Sequence, residues 1–348
     1  MPAMWRLDPD DAAAALAMLR GARHVLLPTH QHVDADSLSS AMAMSRGLQR
    51  LGVASTVLVS DGQLPGSLRF LPGIERVARY GADPLPDYDL LCLIDSSDLH
   101  RLGAFYRDDP ARVDGHVPMV NIDHHVTNGR FGVVNIVEPG AASASEIVTD
   151  LLAVWGVELD RETAQLLLSG IYGDTLGLRT DSVTSRTMRT AADLVDAGAN
   201  PMPVVDALFR IKPKSTVALW RIALRNITWT GSLIWTSLSE DEFAAAGAES
   251  SEGEGIVNFL LGTDGSRAAA ILYGAKDGWR VSMRSMYPQV NVAQIASVFG
   301  GGGHPRAAGC QVEGGEDAKQ AFVTRVAELL AEIDMTGVGT PAATPKPV

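Results

Sequence analysis

Cysteine is almost missing from this chain. The two present, Cys92 inside an apolar run and Cys310 beside a cluster of glycines, lack the paired spacing of a zinc site or a redox couple and read as small buried or half-buried fillers. A basic excess is missing too: 29 Lys and Arg stand against 41 Asp and Glu, for a formal net charge of -12. Affinity for duplex nucleic acid comes mainly from neutralised phosphates, so this balance excludes long duplex as a partner and leaves only short nucleic acid. No uncharged apolar run approaches the roughly 20 residues of a membrane span. The N-terminus has no basic region followed by an apolar segment and a cleavage site, so a membrane partner is not expected and the location expected is cytoplasmic. No internal repeat recurs at a fixed period. Residues 336–348, rich in Pro, Gly and Thr, read as a disordered tail without a function.

What is present is enough apolar sequence for two ordinary domains: 348 residues, 46% hydrophobic and 20% charged. Helical spacing over residues 11–20 gives a first helix, with Asp8 or Asp10 as cap and Gly21 as stop. Apolar runs at 25–29, 54–59, 90–94 and 117–122 are continuous rather than alternating, which predicts strands covered on both faces. Between the first two, Leu38, Ala41, Met42, Ser45 and Leu48 fall on one helical face. Helices follow at 145–155, 162–172 and 185–197. Glycine, asparagine and three prolines then interrupt the pattern over 198–214. Beyond it come an alternating strand at 227–238, a short helix at 255–261, and strands at 268–274 and 279–285 joined by an Asp277-Gly278 turn. A helix at 292–299, a glycine run and a final helix at about 317–333 close the chain. The fold class expected is α/β. A mainly parallel sheet covered by helices fills residues 1–197, 198–214 is a linker, and a smaller mixed α/β domain fills 215–335, with the active site in the cleft between them.

Three of the apolar runs end in the same chemistry. The first stops at His30, with Asp34 and Asp36 just beyond; the third stops at Asp95; the fourth delivers Asp123-His124-His125. Alone, an Asp-His-His triplet is a weak signal, more often a solvated turn. In a parallel α/β sheet, however, the carboxyl ends of the strands converge on one crevice, so these residues meet in space. Asp174, near the end of an apolar helix, is a fourth contributor. His30, Asp34, Asp36, Asp95, His124 and Asp174 are two imidazoles and four carboxylates, the wrong set for structural zinc and suited to manganese or a similar first-row ion, with magnesium in an oxygen-rich position. Six ligands exceed what one ion with open positions needs. Two ions sharing Asp95 as a bridge, about 3.5–4 Å apart, use them all, and such pairs clamp the attacking and leaving oxygens of phosphoryl transfer. If these acids were only helix caps, several unpaired carboxylates would repel one another in the crevice.

The run Gly300 to Gly303 has two readings, a flexible connection or a stretch whose backbone N–H groups approach an anion, with His304 and Arg306 adding charge. Arg284 and Ser285, at the end of a predicted strand, supply further donors for a phosphate clamp.

These residues, in this order, resemble the DHH phosphoesterase superfamily, and Gly301-Gly302-Gly303-His304-Pro305-Arg306-Ala307-Ala308-Gly309 resembles its DHHA1 substrate-binding module. The likeness runs from about residue 24 to 332. The segment from Leu68 through Arg69, Phe70, Leu71 and Pro72 to Gly73, the segment 98–103 and Ser143-Ala144-Ser145-Glu146 are similar to the nanoRNase/pAp-phosphatase branch. The resemblance implies His30, Asp34 and Asp95 on one metal ion and Asp36, Asp95, His124 and Asp174 on the other, with Mn2+ as the ion and Mg2+ or Co2+ as alternatives. It implies Asp123 as support for these ligands and His125 facing the scissile phosphate. Arg284, Ser285, Gly301, Gly302, Gly303 and His304 would hold the other phosphate or terminal nucleotide, and His304 would also join His125 in assisting the reaction by hydrogen bonding. Where the family often has Pro-Asp, then Ala and Gly-Ser, this chain has Val33-Asp34, Ser37 and Ser39-Ser40, and Leu178 replaces a common aromatic.

The activity so implied is hydrolysis of short oligoribonucleotides to 5'-mononucleotides, together with phosphatase action on 3'-phosphoadenosine 5'-phosphate. An alternative is a cyclic or linear dinucleotide phosphodiesterase. From another class, a nucleotide-binding sensor without catalysis would carry a broken ligand set, and none of the six positions is broken. A homodimer is compatible with the chain.

Overall fold

The computed structural model describes residues 6–113, 117–253 and 255–336, so the expected tail lies, beyond residue 336, outside the described residues. The chain divides into two compact units, Met1–Ile211 and Lys212–Val348.

In the first unit the continuous apolar runs become parallel strands: β1 (Val25–Pro28), β2 (Ser55–Val59), β3 (Ala78–Arg79), β4 (Leu90–Ile94), β5 (Met119–Asp123) and β6 (Val134–Val137), in the order β3-β2-β1-β4-β5-β6. Alternation is hidden inside these runs because both faces are apolar. Val25, Leu27, Cys92 and Ile94 pack with Leu38, Met44, Leu48 and Ile147, while Leu26, Leu58, Leu91 and Leu93 pack with Leu102, Phe105 and Val113 on the other side. β3 and β6 are short outer strands that no apolar run announced. The chain adds β2 and β3 on one side of β1 and then places β4 on the other, so the order reverses at β1/β4, where α/β sheets open their crevice.

The helix Ala35–Arg50 packs against Arg161–Asp174 at unusually close range. Two glycines permit it: a Cβ on Gly170 would lie 2.6 Å from Asp36 Oδ1, and one on Gly173 would lie 2.7 Å from the Cβ of Ala35. The stretch 198–214 holds more structure than its prolines suggest. Pro201 occupies the first turn of a helix, Pro201–Val205, where its missing N–H costs nothing, and a π turn, Asp206–Arg210, continues it.

The second unit is a mixed sheet of β7 (Thr228–Thr230), β8 (Leu233–Leu238), β9 (Ala268–Ala275), β10 (Gly278–Arg284), β11 (Gly302–His304) and β12 (Ala307–Glu313), ordered β11-β12-β10-β9-β8-β7 with only β8 and β9 parallel. The single strand expected over 227–238 is instead a hairpin: Gly231, at φ +59, turns the chain between β7 and β8. The glycine run is also more regular than a connection, since Gly302–His304 pairs with β12 as the edge of the sheet. One face of this sheet packs on the helices Val292–Ser297 and Glu316–Thr336. Lys214–Arg225 and Ile256–Leu261 pack on the other face, over β8 and β9. Both cysteines are free and buried, as the sequence implied.

Candidate metal centre and anion-binding concavity

Because β1, β4 and β5 are neighbours, the residues that follow them converge. His30 Nε2 lies 3.4 Å from Asp95 Oδ2 and 3.5 Å from Asp34 Oδ2. His124 Nε2 lies 3.3 Å from Asp95 Oδ1 and 3.1 Å from Asp174 Oδ2. Asp95 thus turns one oxygen to each of these histidines, and among the described residues three clusters, His30/Asp34/Asp95, Asp36/His124/Asp174 and Asp95/Asp123/His124/His125, each have candidate ligand atoms within 4.8 Å of one another. All six residues singled out in the sequence as ligands are brought together.

Local structure fixes each of them. Asp34 caps the helix Ala35–Arg50, accepting from Ser37 N at 2.9 Å. Asp36, fully buried, accepts from Ala144 N at 2.6 Å and Ser145 N at 3.0 Å at the N-terminus of the helix Ala144–Val154, which favours negative charge. Asp95 sits at φ 61, a left-handed conformation that costs a non-glycine residue about 1–2 kcal/mol. The turn after Asp174 is held similarly, with Leu176, Gly177 and Leu178 all at positive φ. Such outliers gather where a site dictates the backbone.

The residues present fit a metal. His30 Nε2, Asp95 Oδ1 and His124 Nε2 are buried and, among the described residues, have no aligned hydrogen-bond partner, as expected of atoms left available to a cation. The electrostatics agree. Burial pulls the His30 pKa down, yet Asp34 and Asp95 outweigh it and raise it to about 9. Burial acts likewise on His124 and is outweighed by Asp174 and Asp95, which raise it to about 11. Burial, then the charges of Asp174 and Asp95, pushes Asp36 up; burial, with Asp95 and Asp34, also raises Asp174. Against its own burial, Asp95 is held well below the usual carboxylate range by His124 and His30. A pocket that draws protons onto its imidazoles is one that attracts cations.

Asp123 has another task. Its Oδ1 accepts from His124 N at 2.8 Å, His125 N at 3.3 Å and His125 Nδ1 at 2.8 Å, and its Oδ2 accepts from Asn128 Nδ2 at 2.6 Å. With these bonds in place it aligns the two histidines. Asn128 also donates to Asn121 Oδ1 at 2.8 Å. Asn128 did not stand out in the sequence, and Arg101, whose Nη1 is 3.3 Å from His125 Nε2, did so only as part of the segment 98–103, with no role of its own.

In the second unit, Arg280, Ser282 and Arg284 alternate along β10 and line an open concavity of about 810 Å³ with Gly300, Gly301, Gly302 and Gly309. Arg284 Nη1 donates to Ser282 Oγ at 3.0 Å, and the Arg280 guanidinium stacks 4.6 Å from the Tyr273 ring centre. The other expected clamp residues lie differently. Ser285 is buried, its hydroxyl donating to Arg267 O at 3.1 Å and accepting from Tyr287 N at 3.2 Å, so it shapes the turn after β10. Gly303 and His304 are exposed on β11 outside the concavity lining.

A parallel sheet with imidazoles and carboxylates gathered beyond its strand ends, followed by a mixed sheet with a glycine-bordered arginine strip, has the two-unit architecture of a phosphoesterase class. Residues 24–171 match the DHH family, N-terminal domain, and residues 239–332 match the DHHA1 domain; the chain belongs to the DHH family. It is 34% identical over 281 residues to the bifunctional oligoribonuclease and PAP phosphatase NrnA of Thermus thermophilus, a match spanning 79% of this chain and 80% of that one. To the Bacillus subtilis protein of the same name it is 26% identical over 216 residues, 61% of this chain and 68% of the relative. Its fold matches the crystal structure of an exopolyphosphatase-related protein from Bacteroides fragilis, with a TM-score of 0.86 and 20% identity over 94% of this chain and 98% of that one. Among the described residues, no helix is long and apolar enough to cross a membrane.

Proposed function

We propose that this protein hydrolyses short oligoribonucleotides to 5'-mononucleotides and removes phosphate from 3'-phosphoadenosine 5'-phosphate, using two divalent cations, Mn2+ first among them. The observation that carries the reading is the division of Asp95: Oδ2 toward His30 and Oδ1 toward His124, at 3.4 and 3.3 Å, the posture of a carboxylate shared by two ions. His30 and Asp34 would complete one site, and Asp36, His124 and Asp174 the other. Bound there, such ions would activate water and neutralise charge on the attacking and leaving oxygens. The names of the two relatives supply the substrate class.

The chain's own residues account for the rest. Asp123 and Asn128 hold the His124-His125 pair in register, which would set His125 beside the reacting phosphate. Arg284, Gly301 and Gly302 would bind a substrate's second phosphate, with His304 and Gly303 at the rim and Ser285 fixing the strand end behind them. In this reading 1–197 is the catalytic domain, 198–214 the connection and 215–335 the substrate-binding domain, working in the cytoplasm as a homodimer. A net charge of -12 gives little attraction to a long duplex.

The test is product analysis with Mn2+ on an RNA dinucleotide, a five-nucleotide RNA, 3'-phosphoadenosine 5'-phosphate and cyclic di-AMP, each offered separately. The first three should be turned over and the cyclic compound far more slowly. Preferred cleavage of cyclic di-AMP would move the assignment to a cyclic dinucleotide phosphodiesterase. Tight nucleotide binding without cleavage would make the protein a sensor.

A further inference from the structure

The residue Arg101 stands beside a carboxylate-rich cluster and pairs with none of it. Its only described side-chain contact is with a histidine, 3.3 Å from Nη1 to His125 Nε2. The other ring nitrogen decides what that contact is. Asp123, which already accepts from three other N–H groups, lies 2.8 Å from His125 Nδ1, so Nδ1 carries a proton and donates it. A guanidinium has no acceptor, so the Nε2 lone pair must accept from Arg101. The ring therefore has no hydrogen to offer at Nε2, and the charged donor at this wall is Arg101.

The chain takes care to place it. The Arg101 backbone N–H is capped by Asp98 Oδ1 at 3.2 Å, and its carbonyl accepts from Gln31 N, in the loop after β1, at 2.6 Å. Two residues on, Gly103, at φ +57, lies so close to Gln31 that a Cβ would be 2.6 Å from that residue's Cβ, and Ala104 N donates to Asp61 Oδ1 at 2.6 Å. The segment is thus fastened to the loops that follow β1 and β2. One N–H of the guanidinium is engaged by His125, and the group has four more in a fixed fork that matches two oxygens of a phosphate.

We propose that Arg101 is a catalytic residue whose guanidinium donates to the non-bridging oxygens of the scissile phosphoryl group, with His125 holding it in place; this rests on the phosphoester reading above. Removing one such donor typically costs about 10²–10³ in kcat.

The test uses the full chain loaded with Mn2+ and an RNA dinucleotide, comparing wild type with Arg101→Ala, Arg101→Lys, His125→Ala and the Arg101→Ala/His125→Ala double variant, with circular dichroism and bound metal measured on each. Arg101→Ala should lower kcat by about 10²–10³-fold with metal content unchanged, Arg101→Lys should recover only part of it, and the double variant should fall clearly below His125→Ala. A double variant no slower than His125→Ala would overturn the proposal, because Arg101 would then act only through the ring. Loss of metal in Arg101→Ala and Arg101→Lys alike would overturn it too. Calorimetric titration of orthophosphate into the Mn2+-loaded proteins separates this contact from the reaction assigned above. If wild type cleaves no phosphoester, that assignment fails, while weaker orthophosphate binding by Arg101→Ala would still uphold the contact and equal binding would remove it.

Discussion

The two units build their candidate sites by opposite means. In the first, charged side chains are carried on strand and helix ends into a buried pocket, with Asp95 at φ 61 and Asp36 fully buried among like charges. In the second, the site is made largely by what is missing: alternate residues of β10 meet glycines of the edge strands, leaving an open strip of backbone and guanidinium. A pocket of the first kind is specified by charge and requires counter-ions to be comfortable, whereas one of the second kind is specified by shape and is altered by adding atoms.

The sharpest way to break that comparison is Asp95→Asn. Asparagine tolerates the left-handed backbone, which alanine would adopt only at a cost of about 1–2 kcal/mol, so the change isolates charge from strain. Metal content should drop for both ions and turnover should fall by at least about 10³-fold, with the circular dichroism spectrum intact. One ion retained with partial activity would show that Asp95 serves a single site.

A smaller effect is expected from charge removed in the second unit. Arg284→Ala should lower kcat/KM by roughly 10–100-fold, the worth of one charge-assisted hydrogen bond, and leave metal content as it was. The glycines divide further. A Cβ on Gly302 meets nothing within 4 Å, so Gly302→Leu should fold normally yet fill the concavity, raising KM. A Cβ on Gly301 would press into the Gly309–Cys310 backbone, at 2.8 Å from the Cys310 Cα, so Gly301→Ala should instead lower the melting temperature. Equal melting temperatures and equal KM for the two variants would show that the strip is neither packed nor occupied as described.

The same contrast explains what could be read from residues alone. Buried parallel strands write themselves as uninterrupted apolar runs, so β1, β4 and β5, and with them His30, Asp95 and His124, were legible from pattern, because a parallel sheet sends all its strand ends to one side. The supports were not. Asn121 and Asn128 look like any polar strand and loop residues until the fold sets both against Asp123 or each other. Gly170 and Gly173 read as weak points of a helix, and only the nearness of Asp36 and Ala35 gives them a purpose. In the second unit, alternation ran on through Gly231 and concealed the hairpin, and four glycines suggested a loop where backbone pairing makes a strand. Arg101 lay inside a segment marked by likeness, but its own role was not legible because it lies in a ring nitrogen 24 residues away.

The smallest effect expected separates the metal-free first unit from its loaded form by pH. His30 and His124, raised from 6.5 to about 9 and about 11 in the fold, each contribute stability that is fully present below about pH 6.5 and lost as pH rises toward and through those values. Asp36 and Asp174, also raised, act with the same sign. The protein stripped by chelator should therefore lose melting temperature steadily between pH 6.5 and 9. With Mn2+ present the trend should reverse. Metal ligation needs unprotonated imidazoles, so binding tightens as pH rises, and whatever binds the folded state alone stabilises it by mass action. Calorimetric scans across that range, with chelator and with Mn2+, should give curves that diverge steadily toward alkaline pH. Parallel curves would mean that His30 and His124 do not exchange protons for metal, and the ligand assignment of both would have to be withdrawn.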